Sequence, residues 1–136
     1  MSDVRVEDIR AAATLLKDVV WPTPTAPARR LSATLGVDIA LKLENLQITG
    51  SFKARGAFVK LSSLDAGQRG RGVIAMSAGN HAQGVAFHCQ RLGIPATIVM
   101  PKQTPFTKVE RTEALGARVK LKGTTLAEAA EYANER

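Results

Sequence analysis

Cysteine is almost missing from this 136-residue chain. The single one, Cys89, excludes an intramolecular disulfide and fits a reducing compartment. Histidine is scarce too. With His81, His88 and Cys89 as the whole supply, no His/Cys zinc cage can be assembled. Aromatic residues make up 4% and do not interleave with the basic ones, so the chain lacks the stacking platform of a single-strand nucleic-acid binder. No apolar run approaches the roughly 18 residues of a membrane span, and the opening Met1–Arg5 carries no signal-peptide core. These absences predict a soluble, cytoplasmic protein with neither membrane nor nucleic acid as partner.

What is present is ordinary for a folded domain: 45% hydrophobic and 23% charged residues, in a length that suits one compact unit. Nineteen Lys and Arg against twelve Asp and Glu leave a net charge of +7. Such an excess suits an anionic ligand, but composition does not choose between a phosphate, a nucleic acid and an acidic membrane. Much of it falls late in the chain, at Lys102, Lys108, Arg111, Arg118, Lys120 and Lys122, where a solvated face explains it.

Apolar spacing predicts a helix over residues 6–20, stopped near Trp21 by Pro22, Pro24 and Pro27, which force an extended loop. A short helix over 29–35 ends at Gly36, and alternation around Ile39, Leu41 and Leu43 reads as a strand. Ser51 is the expected N-cap of a helix running to about Leu64. Residues 68–72 read as a loop, 73–76 as a buried strand, and 77–80 as a turn into a helix ending near Gly93. A strand over 96–100, a helix over 107–115, a strand over 119–121 and a helix opened by Thr125 follow. The alternation predicts an α/β fold with a parallel sheet and flanking helices. The last helix has an apolar stripe of Leu126, Ala129, Ala130 and Ala133 but no capping glycine, the mark of a truncated βα series whose open sheet edges invite self-association into a homo-oligomer.

Gly70-Arg71-Gly72 fits a relaxed dinucleotide pattern but precedes a strand, so no helix N-terminus would meet the pyrophosphate. More informative is Gly50-Ser51-Phe52-Lys53-Ala54-Arg55-Gly56-Ala57. Lys53 falls in a first helical turn, where the dipole disfavours an ammonium, and burial would favour the neutral amine further. Phe52 offers a flat face to a planar cofactor. On spacing alone, a solvated lysine and a core phenylalanine explain the pair better. In Ser77-Ala78-Gly79-Asn80-His81 a strand feeds a helix, Gly79 permits close approach, and successive N–H groups can cradle a carboxylate or phosphate. An N-capping turn with no ligand explains it equally well. His88 and Cys89 are neighbours on a helix, point in different directions, and read as packing residues.

Together, Leu41-Lys42-Leu43-Glu44-Asn45-Leu46-Gln47, the stretch from Thr49 to Ala57, and Ser77-Ala78-Gly79-Asn80-His81-Ala82-Gln83-Gly84-Val85-Ala86 resemble the fold type II (tryptophan-synthase-β-like) pyridoxal-phosphate enzymes. The nearest branch is that of the threonine ammonia-lyases (threonine dehydratases) and serine dehydratases and racemases. The resemblance implies that residues 1–50 open a large cofactor-binding domain and that 51–136 form a small α/β domain truncated at its C-terminal end. It implies pyridoxal phosphate as cofactor, held by Lys53, which also moves the substrate's α-proton. Phe52 then packs on the pyridine ring, Asn80 bonds the cofactor's 3′-oxygen, and Ser77, Ala78, Gly79, Asn80 and His81 receive the substrate carboxylate. The implied reaction converts L-threonine or L-serine to a 2-oxo acid and ammonia, within amino-acid metabolism such as isoleucine biosynthesis. Racemases of this branch resemble the motif with a second serine at position 78, and alanine there transfers no proton. The family's glycine-rich phosphate loop corresponds to residues beyond Arg136. Two other readings stand beside this one: a related β-replacement or threonine-synthase-like enzyme, and a non-catalytic fragment.

Overall fold

The computed structural model describes residues 3–136. Seven helices and five strands follow in the order α1 (Val6–Leu16), β1 (Thr25–Pro27), α2 (Arg29–Leu35), β2 (Ala40–Lys42), α3 (Lys53–Ser62), α4 (Ala66–Arg71), β3 (Val73–Met76), α5 (Asn80–Leu92), β4 (Ala96–Met100), α6 (Phe106–Ala114), β5 (Arg118–Leu121) and α7 (Leu126–Asn134), with a 3-10 turn at Glu44–Leu46. None of these helices is long and apolar enough to cross a membrane.

The centre is a three-stranded parallel sheet in the order β3-β4-β5. Val73 pairs with Ala96 and Thr97 with Arg118, so β4 is hydrogen-bonded on both sides. Its Ala-Thr-Ile-Val-Met run is apolar because both faces of a central parallel strand are covered. Ile98 and Met100 point into a core with Ala57, Leu61, Val85 and Ala86, whereas Val99 points the other way onto Ala129 and Ala133 of α7. Helices α5 and α6 lie against the first face, with α3 stacked outside on α5. The α/β fold with a parallel sheet and flanking helices is therefore as the sequence predicts.

Four local expectations are corrected. Helix α1 stops at Leu16, four residues early: Lys17 already leaves helical angles (ψ 132°), and Asp18 follows in a left-handed conformation (φ 61°). An aspartate tolerates that region better than most side chains, and the turn lets Val20 join Leu16 against Ala54 of α3. The proline-rich stretch is not only loop: Thr25–Pro27 pairs antiparallel with Ala40–Lys42, Ala26 opposite Leu41. Residues 66–71 are helical, not loop. Asp65 accepts from the Gln68 N–H at 2.8 Å while Gln68 Oε1 accepts from the Asp65 N–H at 2.9 Å, a reciprocal cap that outweighs the poor propensity of Gly67 and Gly70. Ser51 does not cap α3 as expected. Phe52 occupies the cap position in a helical conformation, and the buried Ser51 Oγ lies a long 3.4 Å from the Lys53 N–H.

Candidate active site

Lys53 is the first residue of α3, and the start of that helix is held by a polar cluster. Arg55 grips Glu44 with two bonds, Nε to Oε2 at 2.8 Å and Nη2 to Oε1 at 2.7 Å. The Thr23 hydroxyl donates to the same carboxylate. The Arg55 guanidinium beside it holds the Glu44 carboxyl down at about 2, against the opposing effect of burial. Arg55 Nη2 also donates to the Trp21 carbonyl at 3.1 Å. Gln47 closes the cluster: its Oε1 accepts from Trp21 N–H at 3.0 Å and its Nε2 donates to Trp21 O at 2.9 Å. The segments around Trp21, Glu44 and Arg55 are thus one unit, with Lys53 two residues before the arginine. Sequence reasoning quoted these residues without giving them a role. No local signal joins them, since Glu44 and Arg55 are 11 residues apart.

The Lys53 side chain is exposed, and its ammonium lies 4.9 Å from the centroid of the Phe52 ring. Phe52 is not a core residue: 59% of it is open, leaving a flat face free beside the amine. The burial that the sequence reading allowed for Lys53 is not found. Four residues upstream, the Thr49 hydroxyl is buried with no hydrogen-bond partner among the described residues.

The second part of the site hangs from the sheet. Ser77 N–H donates to Val99 O at 3.1 Å, and Ser77 Oγ accepts from Gly79 N–H at 3.2 Å, so the turn between β3 and α5 is tied to β4. Gly79 precedes α5 and offers no side-chain cap. Among the described residues, the Asn80 and His81 N–H groups have no acceptor, and both side chains are exposed. Unfilled donors at a helix start attract an anion. The His81 imidazole is held below its usual range, first by partial desolvation and then by the positive charge of Lys53. That coupling brings the two motifs, separated in sequence, to one locality. Ala78 packs against the core and carries no titratable group.

Other candidates resolve as structure. His88 and Cys89 are fully buried. His88 lies between Phe58 and Phe87, ring centroids 5.1 and 5.0 Å away, and neither nitrogen reaches hydrogen-bond geometry, although the Ala54 backbone interacts weakly with it. Burial pushes His88 down to about 4 and Cys89 up to about 11, the opposite of a reactive thiol and its base. Gly72 serves sheet entry: a Cβ there would sit 2.6 Å from the Pro95 carbonyl oxygen, at φ 81°. In the basic C-terminal part, Lys122 and Arg136 lie 5.2 and 4.1 Å from the Tyr132 ring centroid, a cation–aromatic surface. A groove between α1 and α3, bordered by Ile9, Leu16, Val20 and Val59, reaches Trp21 and Arg55 of the polar cluster but neither Lys53, Phe52 nor the turn before α5. No group of metal-ligating side chains occurs among the described residues.

Known proteins resemble this chain in sequence and fold. The L-threonine ammonia-lyase of Thermotoga maritima is 52% identical over 130 residues, covering 96% of this chain and 32% of that protein. The solved maize serine racemase superposes with a TM-score of 0.89 at 30% identity, over 98% of this chain and 41% of its own. Threonine deaminase isoform 2 from Solanum lycopersicum gives 0.83 at 40% identity, over 98% and 38%. The chain spans 32% to 38% of the length of the curated relatives it matches. From the last turn of α1 onward, over residues 16–136, the chain belongs to the family of pyridoxal-phosphate dependent enzymes.

Proposed function

We propose that this chain carries the lysine-bearing part of a lyase that dehydrates and deaminates L-threonine or L-serine to a 2-oxo acid and ammonia. The observation that carries the reading is the exposed Lys53 amine beside the open Phe52 face, electrostatically coupled to the turn that begins α5. The residues present fit the aldehyde and ring of pyridoxal phosphate: an amine without an acidic partner among the described residues, a flat apolar face, an exposed Asn80 amide, and an orphaned Thr49 hydroxyl. When bound, the cofactor supplies an aldehyde for the amine and a ring that spreads the electrons left when the substrate's α-proton departs.

Lys53 Nζ would take that α-proton, which leaves with the substrate's β-hydroxyl as water. The free N–H groups of Asn80 and His81 hold the substrate carboxylate, with Ser77 Oγ fixing the turn through Gly79. Asn80 orients the ring by its side chain, and Phe52 covers one ring face and excludes water from it. Ala78 has no proton to give to the opposite face, which supports elimination over racemisation. Residues 1–50 are read as the start of the large domain and 51–136 as most of the small one. The cofactor's phosphate is assigned to polypeptide outside this chain, in keeping with the fraction of its relatives that the chain spans. From threonine the product is 2-oxobutanoate, a precursor for isoleucine biosynthesis, and an unpaired, buried cysteine fits a cytoplasmic setting.

The test is a cofactor trap. The chain is mixed with pyridoxal phosphate, reduced with borohydride and mapped by peptide mass, with Lys53→Ala as control. A dominant adduct on Lys53, lost in the variant, is expected. Adducts scattered over Lys60, Lys102 and the other surface lysines would overturn the assignment. Release of 2-oxobutanoate from threonine then separates the lyase from a β-replacement enzyme.

A further inference from the structure

Helices α3 and α5 make the most extensive helix–helix contact in the fold, and one residue sets how closely they approach beside the site. Gly84, buried in the second turn of α5, faces the main chain at the start of α3. A Cβ placed there would sit 3.2 Å from both the carbonyl carbon and oxygen of Lys53 and 3.3 Å from the Ala54 nitrogen. Backbone atoms at a helix start cannot swing aside as a side chain does, so one of the two helices would have to shift by a few tenths of an ångström. No turn or positive φ requires glycine at this position; the close approach alone does. Gly84 also lies one helical turn beyond Asn80 and His81, on the same rigid element.

We propose that Gly84 is a positioning residue for Lys53: its missing side chain lets α5 lie directly on the Lys53–Ala54 peptide, fixing the lysine's main chain against the helix that carries Asn80 and His81. The inference rests on the reading of Lys53 as the cofactor lysine. The contact leaves a trace of its own in the Ala54 amide. That N–H comes too early in α3 for an intrahelical acceptor and has no other acceptor among the described residues, yet Ala54 is completely buried: it packs with Leu16 and Val20, while its nitrogen faces Gly84.

Gly84→Ala is compared with two variants. Gly56→Ala places the same methyl on α3, where nothing lies within 4 Å. Val85→Ala loosens the same core but leaves Gly84 intact. Helix propensity alone would raise the melting temperature of both glycine variants; contact at Gly84 lowers it in Gly84→Ala only. Borohydride-fixed adduct on Lys53 should form about tenfold more slowly in Gly84→Ala, since misplacement by 1 Å can cost about 100-fold, while Val85→Ala retains the wild-type rate. Equal slowing in Gly84→Ala and Val85→Ala, or none in either, overturns the positioning role. Amide exchange decides independently of the cofactor. Slow exchange of the Ala54 N–H in the wild-type chain supports the contact even if Gly84→Ala fails to fold, and fast exchange there overturns it. A wild-type chain whose adducts fall on other lysines and not on Lys53, but which protects Ala54, refutes the lysine's role and leaves the Gly84 contact standing.

Discussion

Residues 3–50 and residues 73–121 are held in place by opposite means. The later region is built on β4, whose Ile98, Val99 and Met100 are completely buried between helices. The earlier region has almost no core. Helix α2, strand β2 and the 3-10 turn bury nothing, and most of the exposed large apolar side chains lie here, from Val4, Ile9 and Trp21 to Leu35 and Leu46. What holds it is the ion pair of Glu44 with Arg55, the two hydrogen bonds between Gln47 and the Trp21 main chain, and a small contact of Leu16 and Val20 with Ala54. Apolar burial is non-directional and cooperative, whereas a charge pair depends on geometry and on pH. The lysine sits on α3, where the two regimes meet.

Three perturbations would break or sharpen this contrast. The largest is Ile98→Ala, which empties space at the centre of the sheet and should cost about 2–5 kcal/mol. Urea unfolding should show one cooperative transition at a lower midpoint. Next comes acid. The His88 value of about 4 in the fold lies below its ordinary 6.5, so the unfolded chain takes up the proton first. Stability is whole above pH 6.5 and falls as pH drops toward about 4, by up to about 3 kcal/mol. Glu44 is also depressed, so its contribution is complete above 4.5 and is lost only as pH falls from there toward about 2. Melting temperatures across pH should therefore decline in two windows, the upper one abolished by His88→Leu. A single decline below 4.5 in the wild type would show that His88 titrates normally. The smallest effect belongs to Arg55→Ala. It strands a mostly buried carboxylate and should cost about 1–3 kcal/mol, discounted for the 31% exposure of the arginine side chain. Limited proteolysis should then cut before residue 50 while amide protection in β3, β4 and β5 persists. Uniform loss of protection would show that the two regions are not held separately.

What could be read from the sequence follows the same division. Strand β4, helix α5 with its stop at Gly93, and the Thr125 cap of α7 rest on local signals: a five-residue apolar run, a left-handed glycine, and a hydroxyl that accepts from the Glu128 N–H at 3.2 Å. Helix α4 was hidden because its glycines speak against a helix while its Asp65–Gln68 cap speaks for one. Ser51 resembled a cap, but its neighbour Phe52 already adopts helical angles. The Glu44–Arg55 pair was invisible because it joins residues 11 apart through tertiary geometry, with Thr23 and Trp21 arriving from farther still. Of the candidate site, Lys53 and the Ser77–His81 turn were legible as motifs; that the charge of Lys53 acts on His81 was not.

The bond from Ser77 N–H to Val99 O joins main chain to main chain. Where the turn sits is therefore written in the register of β3 against β4, not in the identity of any side chain. Substitutions at Val99 that preserve the strand leave the turn where it is, so the side chains beneath it can change without moving it. A slip of one residue is a different event: it would carry the turn about 3.3 Å along the strand, beyond what point substitutions could recover. The turn's position therefore depends on how β3 aligns with β4 and hardly at all on their composition.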